Sequence, residues 1–301
     1  MEDLKQFITQ DGTLSLRSHI YKENFHSSVG ALRETKSKFI KPSKLERFKH
    51  QSIKVLDICF GLGYNSAFLF NELIKQSTKI NWFALEIDKR PLNLSINSNS
   101  FKNLWTPKVI EIFESLEKKG EFIDDKFNCK LIWGDARKKI NEIPKNIKFD
   151  LIFLDGFSPQ KCPEVWTKEF LSKIKTYLNF RGYIVTYSSS AAVRKTLIDL
   201  GLMIYNIKPK IETSLNWSNG TIAILDSNFE EHKMNSLLQE LSIMELEHLE
   251  TKASIPYRDP NFLSSSEEIL NARKIEQLKS NLLNTQVWRK KWHMTKAPIK
   301  S

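Results

Sequence analysis

The run Leu56–Ser66, LDICFGLGYNS, confines the fold more than any other stretch of the chain. An apolar strand enters a G-x-G turn, and a helical pattern leaves it. A strand–turn–helix unit of this kind belongs to a parallel α/β sheet with a nucleotide-type ligand at the turn. The chain repeats the alternation downstream. Ile53–Cys59 and Lys79–Glu86 (KINWFALE) read as strands around a helix over Tyr64–Lys75, and Cys129–Trp133 (CKLIW) reads as a third strand. Phe149–Asp155 (FDLIFLD) is nearly continuous in apolar residues, as a central strand covered on both faces must be. Gly182–Ser188 is followed by a helix from Ala191, and Met203–Ile207 and Thr221–Leu225 form an antiparallel pair. The pattern predicts a doubly wound, mostly parallel seven-stranded sheet with an antiparallel last strand.

The turn also selects its ligand. A dinucleotide turn carries a third glycine, but the frame from Gly61 gives Gly61, Gly63 and then Ser66. Asp57 stands four residues before Gly61, where a carboxylate facing the ligand would repel a pyrophosphate, at a cost of several kcal/mol if desolvated. Beside a sulfonium and an α-ammonium it would attract, and S-adenosyl-L-methionine carries both cations and no phosphate. Glu86 ends the second strand and can accept both ribose hydroxyls; Asp135, in WGDAR after the third strand, can accept the adenine amine; Asn65 offers an amide to the methionine carboxylate. Each residue has a plainer reading, Glu86 as a solvated strand end and Asp135 as a helix N-cap. Three carboxylates at the carboxyl ends of three successive strands nevertheless share the edge where ligands bind. The expectation is a class I (Rossmann-like) methyltransferase fold holding S-adenosyl-L-methionine at Asp57, Gly61, Gly63, Asn65, Glu86 and Asp135.

The fourth strand ends in LDGFSPQKCPEVWT, Leu154–Thr167. Asp155 closes the strand where a donated methyl would emerge, Gly156 permits a sharp exit, and Pro159 and Pro163 stiffen the loop. Phe157 and Trp166 offer flat surfaces for a planar base, and Lys161 a cation for a phosphate or carbonyl. Taken singly, either aromatic is better read as loop packing.

Composition bounds the partners and the compartment. The chain has 301 residues and a net charge of +11, from 46 Lys and Arg against 35 acids, which permits a polyanionic partner without requiring one. Three cysteines without C-x-x-C spacing argue for a reducing compartment and against a disulfide framework or a zinc cluster. The histidines show no ligand spacing, so no metal is expected. The start, MEDLKQFITQDG, lacks a signal pattern, and no window approaches a membrane span, which points to a cytoplasmic protein.

Two flanks surround the α/β region of residues 51–226. Residues 1–50 hold Asp11-Gly12 between alternating runs, a hairpin signal, and ten Lys or Arg. Residues 227–301 read as a helical extension packed on the core. Within it Met234, Leu237, Leu238, Leu241 and Met244 fall at helical spacing, IPYRDP (Ile255–Pro260) breaks the helix, and Ser265 with Glu268 forms a capping box. Trp288 and Trp292, four apart in the basic tail, read as a packed helix face.

Two of these runs, D-x-C-F-G-x-G-x-N at Asp57–Asn65 and L-D-G-F-x-P-x-K-x-P-x-x-W-T at Leu154–Thr167, resemble the methyltransferase part of the MnmC family. YKENFHSSVGALRET (Tyr21–Thr35), S-x-x-x-V-R (Ser189–Arg194) and IPYRDP extend the similarity over most of the chain. The oxidase part of the bifunctional members has no counterpart here. The resemblance implies N-methylation of 5-aminomethyl(-2-thio)uridine at the tRNA wobble position, with the tRNA anticodon stem-loop as partner. It also implies cofactor contacts at Asp57, Gly61, Gly63, Glu86 and Asp135, and the catalytic role at Asp155. The alternatives are a methyltransferase of a small molecule or protein, an aminopropyltransferase of the spermidine-synthase kind, and a non-catalytic RNA-binding relative. The second of these calls for paired aspartates, where Asp155 stands alone and is followed by Gly-Phe.

Overall fold

The computed structural model describes residues 3–208, 218–225 and 238–294. The chain opens with a three-stranded antiparallel sheet, β1 (Leu4–Ile8), β2 (Leu14–Ser18) and β3 (Glu23–Asn24). Asp11 shapes the β1–β2 turn by accepting from the Thr9 and Thr13 hydroxyls at 2.8 and 2.7 Å, and Gly12 supplies the positive φ of 82°. Helical backbone then runs through Ala31–Thr35 and Lys36–Ile40.

The central sheet contains β4 (Ser52–Ile58), β5 (Lys79–Glu86), β6 (Glu121–Ile123), β7 (Phe127–Trp133), β8 (Phe149–Leu154), β9 (Leu178–Thr186), β10 (Met203–Ile207), β11 (Thr221–Ile224) and β12 (Leu238–Gln239). Its order is β12-β10-β11-β9-β8-β4-β5-β7-β6. Strands β7, β5, β4, β8 and β9 are parallel, and β11 runs antiparallel to both β9 and β10. These seven form the expected sheet, with β11 as its antiparallel last strand. Beyond the expectation lie two short edge strands, β6 on β7 and β12 on β10. They cap both edges, which shields backbone groups that would otherwise be open to pairing.

Side-chain alternation divides the core into two layers. Ile53, Val55, Phe153 and Val185 pack on one face together with Leu69 and Phe70 of the helix Tyr64–Lys75. Leu56, Ile58, Ile152 and Leu154 pack on the other with Phe170 and Leu171 of the helix Lys168–Tyr177. Leu14 and Leu16 of β2 join the first cluster, and the Tyr64 hydroxyl donates to the Leu14 carbonyl at 3.0 Å. The N-terminal sheet is thereby seated over the carboxyl end of the central one.

The C-terminal residues depart from the expected continuous helix. Leu238 pairs in β12, and the helix begins only at Ile243 behind a Ser242–Glu245 capping box; Met234 and Leu237 lie outside the described residues, as does the boundary near 226. A strand can bury Leu238 equally well, because one apolar residue does not distinguish the two periods. The Ser265–Glu268 box does open the helix Ser266–Lys279. Trp288 is buried, stacks on His248 at 4.1 Å and donates to the Met244 carbonyl at 2.9 Å. Arg194, of S-x-x-x-V-R, is buried against Glu245 at 2.9 Å and also donates to Thr221, Asn206 and Ser218. Among the described residues no helix is long and apolar enough to cross a membrane, and no cluster of three or more His, Cys, Asp or Glu is placed to hold a metal ion.

Candidate active site

The strand order reverses at β4, with β5 on one side and β8 on the other, and the crevice beyond the strand ends at such a point is where α/β sheets bind ligands. A cavity of about 720 Å³ opens there, within the size range of small-molecule sites. The sheet contributes Gly61, Asn65, Glu86, Asp155 and Phe157 to its wall, and the N-terminal segment contributes Tyr21, Phe25, Glu34, Thr35 and Lys38.

The glycine turn follows β4. Gly61 (φ 57°) and Gly63 (φ 84°) both occupy the left-handed region, as does Cys59 (φ 66°), a non-glycine residue under strain of the kind that collects at functional sites. A Cβ at Gly63 would lie 2.5 Å from the rings of Phe60 and Phe113, so this glycine is required for packing. Gly61 donates its N–H to Glu86 Oε2 at 2.8 Å, while Ile87 and Asp88 donate to Oε1 at 2.6 and 2.9 Å. A carboxylate accepts about four hydrogen bonds, so Glu86 retains acceptor capacity at the cavity wall. Burial raises its pKa against the opposing pull of these amides.

Asp155 and Asn65 face one another across the switch point. The Asn65 amide donates to Asp155 Oδ2 at 2.7 Å, and its carbonyl accepts from the Thr35 hydroxyl at 2.9 Å, fixing the amide's orientation. Burial, followed by the negative charge of Glu34, pushes Asp155 up to about 7, opposed by the Asn65 hydrogen bond. Burial acts upward on Glu34 as well, but the Lys38 ammonium and the Ser27 amide hold it below the ordinary carboxylate range. Lys38 pairs with Glu34 and lies 5.7 Å from the centre of the Tyr187 ring.

Several expected residues are placed elsewhere. Asp57 shares the β4 face of Ile53 and Val55, so its side chain turns beneath the helix Tyr64–Lys75 and away from the cavity. It accepts the Ser66 hydroxyl at 2.6 Å, Trp82 donates to that same hydroxyl at 2.8 Å, and burial pushes the carboxyl up to about 7. The negative charge expected from Asp57 stands at the wall in Glu86. Asp135 is the N-cap of Ala136–Lys139, bracketed by Arg137 at 2.7 Å, and Arg137 reaches the buried Asp259 of IPYRDP at 2.6 Å. Trp166, expected as a stacking surface, is instead fully buried, donates to the Phe157 carbonyl at 2.8 Å and meets the edge of Tyr187. Pro159 is buried in the exit loop and Lys161 is exposed, and neither joins the cavity wall. Phe157 does, with Tyr21 stacked on it.

Tyr21, Phe25, Glu34, Lys38 and Tyr187 also line the cavity, and the sequence assigns none of them a role. The i,i+4 spacing of Glu34 and Lys38 was readable as an ion pair. The contacts of Tyr21 and Phe25 with Phe157 span more than 130 residues, and no local signal announces them.

Comparison with known proteins agrees with this geometry. Residues 99–212 match a family described as S-adenosyl-L-methionine-dependent methyltransferase. The crystal structure of MnmC2 from Aquifex aeolicus superposes with a TM-score of 0.78 at 31% identity, covering 92% of this chain and 86% of that one. An uncharacterized protein of Methanocaldococcus jannaschii is 31% identical over 279 residues, which is 91% of this chain and 73% of the relative. The bifunctional MnmC protein of Campylobacter hominis is 30% identical over 62% of this chain, but the match spans only 28% of its own length. A cavity with the left-handed Gly61 and the carboxylate of Glu86 on its wall fits an adenosyl donor bearing positive charge and lacking phosphate. The chain belongs to the MnmC2-like S-adenosyl-L-methionine-dependent methyltransferases.

Proposed function

We propose that this methyltransferase acts on the primary amine of 5-aminomethyl(-2-thio)uridine at the tRNA wobble position, giving 5-methylaminomethyl(-2-thio)uridine. The observation that carries the reading is Asp155, held by Asn65 at the end of β8 inside a cavity whose outer wall includes Arg17 and Lys22. A carboxylate within suits an ammonium, and cations toward the mouth suit a phosphate backbone, whose contacts make binding salt-dependent. The relatives from Campylobacter and Leptospira are named tRNA 5-methylaminomethyl-2-thiouridine biosynthesis bifunctional proteins, which supports the same substrate.

The bound donor supplies an electrophilic methyl on a sulfonium. The protein's task lies with the nucleophile. An alkylamine with a pKa near 10 is neutral in only about one molecule in 10³ at pH 7. Asp155 binds the ammonium, takes or relays its proton, and leaves the nitrogen lone pair directed at the methyl carbon. Asn65 fixes the carboxylate through Oδ2, and the remaining acceptor sites are enough to take the amine. Holding the reacting atoms about 3–3.5 Å apart supplies much of the acceleration. A wobble base reaches this depth only after leaving the anticodon stack.

The test is transfer of labelled methyl to an anticodon stem-loop bearing 5-aminomethyluridine, paired with nucleoside mass spectrometry of tRNA from a deletion strain. Incorporation in vitro and accumulation of the aminomethyl nucleoside in vivo are expected. An unchanged nucleoside profile together with an inert stem-loop would overturn the reading.

A further inference from the structure

We propose that Tyr21 is the second jaw of the acceptor-base site, closing with Phe157 on the two faces of the flipped pyrimidine whose amine meets Asp155. This rests on the reading of a nucleobase amine as acceptor. The two rings stack with centroids 4.5 Å apart and planes 24° from parallel, and both line the cavity. Phe157 follows Asp155 by two residues at the β8 exit, and both line the same cavity.

The two jaws are held differently. Phe157 is fixed from several sides. Its carbonyl accepts from Trp166, the neighbouring Gly156 carbonyl accepts the Tyr187 hydroxyl at 2.9 Å, and Ser158 donates its N–H to Glu23 at 2.9 Å. Phe25 abuts the Phe157 ring edge-on at 4.9 Å. Tyr21 sits in the short connection between β2 and β3, next to Lys22 with its positive φ of 53°. A base between the rings sets them about 7 Å apart, twice the 3.5 Å carbon contact distance, so Tyr21 must retreat by about 2.5 Å. Glu23 and Phe25 stay with the Phe157 loop, so the retreat falls to Tyr21 itself, whose N–H donates to the Ser18 hydroxyl at 3.2 Å.

The cofactor's adenine is the competing occupant. Ile87, an exposed apolar residue directly after Glu86, lines the cavity beside the carboxylate expected to hold the ribose. Phe157 leaves the β8 exit two residues after Asp155, and cofactor affinity measured beside the RNA KM tells the two occupants apart.

The experiment compares Tyr21→Ala, Tyr21→Leu and Tyr21→Phe in the full chain. It measures S-adenosyl-L-methionine affinity by calorimetry, and KM and kcat on the aminomethyluridine stem-loop. Loss of a stacked face is expected to raise the RNA KM about 5- to 150-fold in the Ala and Leu variants, with cofactor Kd within about twofold. Tyr21→Phe keeps the face and is expected to match wild type. Tyr21→Leu preserves bulk, so it carries the test if the alanine variant melts. An unchanged KM in the Leu variant, or a rise in cofactor Kd without one in KM, would overturn the inference. A wild-type enzyme inert on the stem-loop would instead remove the proposed substrate itself.

Discussion

Asn65 donates to Asp155 across 2.7 Å, joining the first turn of the helix after the glycine loop to the last position before the β8 exit. The cofactor turn and the reacting edge are thus one hydrogen-bonded unit, continued through Thr35 into the N-terminal segment. A change at Asp155 therefore separates binding from chemistry. Asp155→Asn keeps the shape and still accepts from Asn65, so cofactor affinity should stay within about threefold. Methyl transfer should fall by about 10²–10⁴, the usual contribution of a positioned proton acceptor. Calorimetry and single-turnover incorporation check both halves, and native turnover in this variant would remove Asp155 from the mechanism.

The pairing of Asp155 with Glu34 makes a pH prediction. Asp155 stands at about 7, partly because Glu34 nearby stays ionised. A proton acceptor must be unprotonated, so kcat/KM should climb with pH through about 7. Glu34→Gln removes a negative charge and leaves Lys38 positive, and both changes favour the ionised Asp155. The acid limb of the profile should move to lower pH in the variant. Because the substrate amine is common to both enzymes, the difference between the two profiles isolates the protein group. A limb that stays in place, or moves up, would show that Glu34 does not act on the proton acceptor.

The sheet was legible in the sequence because its strands are buried on both faces and bounded by turn residues. Lys79–Glu86, Met203–Ile207 and the helix Tyr64–Lys75 fall where periodicity puts them. β6 and β12 are three and two residues long, too short to carry a period. Gly61, Asn65, Glu86 and Asp155 line the cavity because each stands at or next to the end of a core element, and Phe157 lines it from the loop that follows. For Asp57 and Trp166, sequence position names the right edge of the sheet but not the direction of the side chain. Alternation along β4 turns Asp57 inward, and Trp166 is drawn into the layer beneath its loop. Tyr21, Glu34 and Lys38 come from a segment that reaches the cavity only through tertiary packing, which no local pattern encodes.

The inward turn of Asp57 has a measurable consequence. Its native carboxyl titrates at about 7 against 3.8 when unfolded. Between these values the native state keeps a proton that the unfolded chain has released, so this group's contribution to stability declines as pH rises from about 4 to 7. Asp57→Asn cannot ionise, and its amide oxygen can still accept the Ser66 hydroxyl. The variant should gain on wild type steadily across that window, with the difference level above it. Denaturant melts at pH 4.5, 6 and 8 measure this, and a constant difference would mean that the carboxyl titrates normally.

The two glycines of the turn should separate into a packing residue and a ligand-facing one. Each has a positive φ, so an alanine at either costs about 1–2 kcal/mol in backbone strain. At Gly61 the new methyl group makes only an ordinary 3.4 Å contact with Phe25, whereas at Gly63 it would stand 2.5 Å from both Phe60 and Phe113, and buried rings give way at a further cost of about 1–3 kcal/mol. Gly63→Ala is therefore expected to lose more stability in denaturant melts than Gly61→Ala. Cofactor affinity should order the other way, because Gly61 lines the cavity and donates its N–H to Glu86 while Gly63 lies behind the wall. Equal losses in both measurements would mean that the turn acts as a single rigid unit, with no division between packing and recognition.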